Sequence, residues 1–270
     1  MKITKWFLLA MLALLCCACS KNNPLAYVDE DADEVIYFNP LAYVDEDADW
    51  VVYGNSSPIL KHRFWDSIMD EMEDMDDFKS FKKELKDNFD VDLDDCRGKF
   101  AVWSDLSDSE EGKIKCVIVF DEIMADDVID AMVKAHKKDS DEYCKCTVDE
   151  EEINDHDAYV LKKKYKFHYG DDDDEKEWID LTVIKLDEKI IQIVSNDKPH
   201  KAAKPSRDSK LAKQIDKDCV IGAAISGNAL RKLAKADQVD LPKIGDVIAM
   251  VFLKKNEIKL EATCDISDID

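Results

Sequence analysis

Two periodicities alternate along the chain. Apolar residues at every second position, or in short unbroken runs, predict strands at Trp50 to Tyr53, Phe100 to Trp103, Lys113 to Phe120, Ala158 to Leu161, Trp178 to Leu186, Lys189 to Ser195, Cys219 to Ile225, Asp246 to Leu253 and Glu257 to Cys264. Lys113 to Phe120 is apolar on both faces, which suits a central strand. The runs on either side of Asp187-Glu188 predict a hairpin. Helical spacing predicts a helix opened by Ser57 and Pro58 and carrying Leu60, Phe64, Trp65, Ile68, Met69, Met72 and Met75, with Phe78, Phe81 and Leu85 continuing it as a second piece. Val128, Ile129, Met132 and Val133 predict a further amphipathic helix over Ala125 to His136. Between the strands at 158–161 and 178–186, the stretch His168 to Glu175 holds four consecutive aspartates, and self-repulsion predicts a solvent loop there.

The expected fold class is α+β: mostly antiparallel sheets with packed helices, arranged as two related strand-helix-strand-strand units. Lys113-Ile114-Lys115 in the first unit corresponds to Glu257-Ile258-Lys259 in the second, and the second is incomplete because no closing helix follows before Asp270. The last hairpin is then expected to be an exposed or partner-covered edge. Residues 23–38 and 39–54 form a 16-residue duplication, identical at 13 positions and differing at Glu34/Trp50, Ile36/Val52 and Phe38/Gly54. The expected organisation is a leader over 1–18, a tether over 19–49 that includes the first copy, a main unit over 50–197, a basic connector over 198–215 and a partial second unit over 216–270.

The leader carries its own signal. Lys2 and Lys5 precede an apolar run of 13 residues from Trp6 to Ala18, too short for a bilayer core that needs about 20 helical residues. With Ala18-Cys19-Ser20 after it, the segment has the layout of a secretory signal. It resembles the bacterial lipobox, in which a small residue precedes a cysteine that is diacylated before the leader is cut. Cys16 stands where that pattern usually has Leu. The resemblance implies that Cys19 becomes the lipid-bearing first residue of the mature protein, and that the chain sits in the bacterial cell envelope. Ser20, in place of an aspartate, resembles lipoproteins released to the outer rather than the inner membrane. The alternative is a plain secretory signal cut after Ala18, leaving Cys19 a thiol. In layout alone, Leu41 to Cys264 is similar to uncharacterised envelope lipoproteins with domains of unknown function, and that similarity implies no activity.

Without its leader the chain has 252 residues, and 36 basic against 61 acidic side chains give it a formal charge of −25. Such a surface repels nucleic acid and anionic headgroups, so a membrane partner is expected only through a lipid tether. Six cysteines remain besides Cys19: Cys96, Cys116, Cys144, Cys146, Cys219 and Cys264. Cys116 and Cys219 lie in apolar runs and read as core residues. Cys144 and Cys146 share one side of an extended chain and, with His136 and His156, sketch a zinc site that lacks CxxC spacing. Packed thiols or disulfide halves are the simpler reading.

The chain holds no Gly-x-Ser-x-Gly elbow, no HExxH pair and only seven glycines to build a phosphate cradle. Three stretches begin like calcium loops: Asp45-x-Asp47-x-Asp49, its copy Asp29-x-Asp31-x-Asp33, and Asp90-x-Asp92-x-Asp94. All three lack the glycine and glutamate that an EF-hand needs at positions six and twelve. The expected function is therefore a lipid-anchored, non-catalytic binding or interaction module with an envelope protein partner. Its alternatives are a calcium-associated adhesion module and an envelope hydrolase of unrecognised type.

Overall fold

The structure, a computed structural model, describes residues 38–62, 79, 83, 86, 97–105, 113–121, 123–141, 143–169, 172–206, 208–236, 244–254 and 257–264. Its strands are β1 (Trp50–Asn55), β2 (Gly98–Ser104), β3 (Ile114–Phe120), β4 (Cys144–Ile153), β5 (His156–Tyr169), β6 (Asp172–Asp187), β7 (Ile190–Ser195), β8 (Ile221–Ile225), β9 (Val247–Lys254) and β10 (Glu257–Cys264). They form one ten-stranded sheet in the order β10-β9-β8-β1-β2-β3-β7-β6-β5-β4, with every neighbouring pair antiparallel. The α-helices among the described elements are short: α1 (Ser56–Leu60), α2 (Ala125–Lys138) and α3 (Gly227–Ala236). None is long and apolar enough to cross a membrane.

This corrects the expectation of an α+β fold with packed helices in two units. The predicted second unit is not separate, because β8 pairs with β1 along its length, from Trp50↔Ile225 to Gly54↔Ile221. Bonds from Ser226 N to Asp49 O and from Asn55 N to Val220 O extend that ladder at both ends. Apolar alternation identifies a strand but says nothing about its neighbour, and any free strand edge is a row of groups waiting to pair. Here β8 takes the edge that β1 offers.

The sheet has two covered faces. On one, Val51, Tyr53, Ala101, Trp103, Val117 and Val119 pack beneath irregular chain rather than helix. The cover comes from Leu41, Ala42, Tyr43 and Val44 of the second repeat copy, and from Leu211, Ala212 and Ile215 of the stretch before β8. Ser206 N donates to Ala42 O, and Ala203 N donates to Gln192 Oε1, which holds the two covering stretches to each other and to the sheet. A 3-10 turn at Pro40–Tyr43, capped by the Asn39 side chain accepting from Leu41 N, turns the repeat's apolar residues inward.

On the other face, α2 buries Ala125, Val128, Ile129, Met132 and His136 at three- and four-residue spacing against Ile118, Phe120, Leu161, Val183 and Ile191. Asp126 and Asp127 in its first turn, and Lys137 and Lys138 in its last, oppose the helix dipole with charges of the right sign. Each fully buried Val, Leu, Ile or Phe on these faces contributes roughly 1.5–3 kcal/mol.

Two glycines are fixed by close approach. A Cβ at Gly54 would lie 2.2 Å from Phe100 Cε1, since the ring of the directly opposed residue on β2 rests over it. A Cβ at Gly227 would lie 2.1 Å from the backbone oxygen of Ile244, where the approach to β9 crosses the start of α3. Arg231 and Gly227 N donate to Ile244 O and Asp246 Oδ1 respectively, which fixes that crossing.

Strand pairing also continues where a loop was expected. β5 and β6 remain paired to Tyr169↔Asp172, so the backbone of Asp172, Asp173 and Asp174 belongs to the ladder. Opposite it, β4 and β5 join through Asn154 and Asp155, both with positive φ (52° and 64°), as a two-residue type I′ hairpin requires.

Candidate functional site

Asp45 and Asp49, candidates for binding a cation, are instead tied to the protein. Asp45 Oδ2 accepts from Trp103 Nε1 at 2.8 Å and from Lys115 Nζ at 2.5 Å. Asp49 is buried, accepts from Ser226 Oγ at 3.2 Å and pairs with Lys232 Nζ at 3.2 Å. These two carboxylates bind the second repeat copy to β2, β3 and α3. Asp47 lies between them and points to solvent. Asp90, Asp92 and Asp94, the copy at Asp29, Asp31 and Asp33, and the proposed lipid-bearing Cys19 lie outside the described residues. Among the described residues no three acidic, His or Cys side chains form a group that could hold a metal.

The cysteine–histidine sketch separates in space. Cys144 and Cys146 open β4, whereas His156 opens β5 beside Ile153, at the far end of the same hairpin. His136 does approach the cysteines' end: α2 delivers its ring to β5, where Nε2 bonds Lys162 O at 3.0 Å. Since a carbonyl only accepts, that nitrogen carries the hydrogen, and Nδ1 faces Asp180 Oδ2 at 3.9 Å.

Asp180 is the residue the sequence reading missed. The β5–β6 register shifts after Leu161, with Leu161 opposite Leu181 and Lys162 opposite Ile179, so Asp180 is the extra residue of a β-bulge. A bulge turns a side chain out of the alternation. This one places a carboxylate 8 % exposed beside Lys163 Nζ at 3.0 Å. Burial raises the Asp180 pKa, against the opposing pull of Lys163 and His136. The signal available in the sequence was a lone aspartate inside the apolar run Trp178 to Leu186.

Next to this ion pair, Cys144 and Cys146 are buried free thiols opposite Tyr165 and Lys163. Burial and then neighbouring Cys144 push Cys146 up to about 11 and Tyr165 up to about 12. Tyr165 stacks on Trp178 with ring centroids 4.6 Å apart. The group is rich in titratable atoms but closed: His136, Asp180, Cys144 and Cys146 are all buried. The Cys146 thiol, held protonated in this way, is a poor nucleophile. Its chemistry is that of a buried polar brace joining α2 to the β4–β5–β6 end of the sheet.

Accessible features lie at the opposite end. Ile221, Ile258 and Leu260 are 47 %, 52 % and 71 % exposed. The registers Leu260↔Val251↔Ile221 and Ile258↔Leu253 put them on one face of β8, β9 and β10. Contiguous apolar surface of this kind marks a contact site more often than a catalytic one. Comparison of the chain with family models, with curated proteins and with solved structures finds no match.

Proposed function

We propose that this chain is a lipid-anchored protein of the bacterial cell envelope, held by acylated Cys19, whose β-sheet body serves as an interaction module. The observation carrying this reading is the short apolar leader ending in Ala18-Cys19-Ser20 ahead of a strongly acidic body. Such a body has no electrostatic attraction of its own to an anionic membrane. Two or more acyl chains, at about 0.8 kcal/mol per buried methylene, anchor stably without it. The exposed apolar end of the sheet at Ile221, Ile258 and Leu260 supports a binding role. A calcium role is disfavoured at 45–49, where Asp45 and Asp49 already accept from protein donors.

Expression in a bacterial host with labelled palmitate tests the anchor. The wild-type chain is expected in the membrane fraction with label, and Cys19→Ser is expected to lose both. Wild-type protein found wholly soluble and unlabelled rejects the reading. For the binding role, Leu260→Lys is expected to abolish the contacts that wild-type protein makes in membranes, and an unchanged cross-linking pattern rejects the surface.

A further inference from the structure

The two ends of the sheet differ in a way that selects a partner. β4 ends one side with Asp149, Glu150, Glu151 and Glu152, four acids in a row that repel a second copy. β10 ends the other side without proline or bulge, in continuous register with β9 from Glu257↔Lys254 to Cys264↔Val247. Its outer edge pairs with no strand among the described residues. Side chains alternate along it: Ile258, Leu260, Ala262 and Cys264 on one face, Glu257, Lys259, Glu261 and Thr263 on the other. β3 shows what such a strand looks like when its edge is filled. β7 pairs with its second edge from Lys115↔Val194 to Val119↔Ile190, whereas β10 has no such neighbour among the described residues.

We propose that β10 pairs antiparallel with β10 of a second copy of this chain, on a two-fold axis through Leu260, joining two sheets into one. Alternate residues of β10 turn their N–H and C=O groups to β9 and the rest turn them outward. Outward groups of two copies meet only if the axis passes through a residue rather than between two. Leu260 and Glu261 are the residues at the middle of the strand. An axis through Glu261 sets that carboxylate against its own copy. An axis through Leu260 sets Lys259 opposite Glu261 twice, Leu260 opposite Leu260 and Ile258 opposite Ala262. The Lys259–Glu261 ion pair that already exists within the strand shows the two groups on one face. The isologous contact uses β10 of both copies, so it closes at two and leaves only the acidic β4 edges at the ends of the joined sheet.

This inference rests on the exposed sheet end being the interaction surface, and disulfide trapping separates the two. The full-length protein is examined in native membranes, in a Cys264→Ser background, under mild oxidation. Residues on the axis have Cα atoms roughly 4.5–5.5 Å apart, inside the disulfide range. Leu260→Cys is therefore expected to give a disulfide homodimer. Ile258→Cys is expected to give none, because its own copy lies about 13 Å away along the strand. Adding Lys259→Glu turns two attractive pairs repulsive and lowers the Leu260→Cys yield about tenfold, and adding Glu261→Lys as well restores it. No homodimer from Leu260→Cys, equal trapping from Ile258→Cys, or a charge reversal that fails to restore the yield overturns the pairing. A Leu260→Cys adduct with a different protein keeps the surface and overturns self-association, and no adduct of any kind removes both.

Discussion

Lys163→Met removes the ammonium that sits 3.0 Å from the Asp180 carboxylate while keeping the side chain's length. At an effective dielectric of about 20, two unit charges at that distance attract by roughly 5 kcal/mol. Against this stands a desolvation cost of several kcal/mol for each buried ion. The raised pKa of Asp180 gives the outcome: burial outweighs Lys163 and His136, so the pair stabilises the fold little in net terms. Removing one partner leaves the other's desolvation uncompensated, and a loss of about 3–5 kcal/mol is expected at pH 7. Asp180→Leu takes this carboxylate from Lys163 and costs a similar amount. The double variant removes both ions and is expected within about 1 kcal/mol of wild type.

The pH dependence has a fixed sign. Asp180 binds its proton more tightly folded than unfolded, so the folded state is favoured below the ordinary carboxylate pKa and loses that stabilisation as pH rises through the higher folded value. Lys163→Met strengthens the effect by removing the main lowering influence. Its deficit is therefore larger at pH 7 than at pH 4. Thermal unfolding followed by far-ultraviolet circular dichroism at both pH values measures the cycle, and about 1 kcal/mol corresponds to roughly 2–4 °C for a chain of this size. A double variant as unstable as the worse single variant, or a Lys163→Met deficit that grows on acidification, refutes the reasoning.

Leu41→Ala, in the second repeat copy, is expected to cost about 2–5 kcal/mol by opening the core beneath it, and a change in unfolding free energy below about 0.5 kcal/mol would show that this copy does not cover the sheet. Asp45→Ala leaves Trp103 Nε1 and Lys115 Nζ without that acceptor and should cost about 1–3 kcal/mol, while millimolar calcium shifts the wild-type melting temperature no more than magnesium does. In the native body, iodoacetamide at pH 8 should modify exposed Cys264 well before Cys116 or Cys219, whose thiols burial pushes up to about 12 and about 11. Equal labelling by peptide mass would contradict that packing.

Strand positions were legible wherever apolar residues alternate or run together, and α2 was legible from its three- and four-residue spacing. Three features were not. β4 carries Asp149 to Glu152 and hides its alternation under charge. The aspartates at 172–174 join a ladder because β5 offers a paired backbone that outweighs their local preference. The cover formed by the second repeat copy has no regular period, so Leu41 to Val44 looked like tether until Asn39 and Asp45 were seen fixing it in place. At the candidate cation residues the limit is related: an Asp-x-Asp-x-Asp spacing records where oxygens are, not whether Trp103, Lys115, Ser226 and Lys232 already engage them.

The envelope anchor is tested most directly by the mass of the N-terminal peptide of protein purified from bacterial membranes. The expected peptide begins at Cys19 and carries thioether-linked diacylglycerol. A peptide beginning at Met1, or at Cys19 with a free thiol, would contradict it.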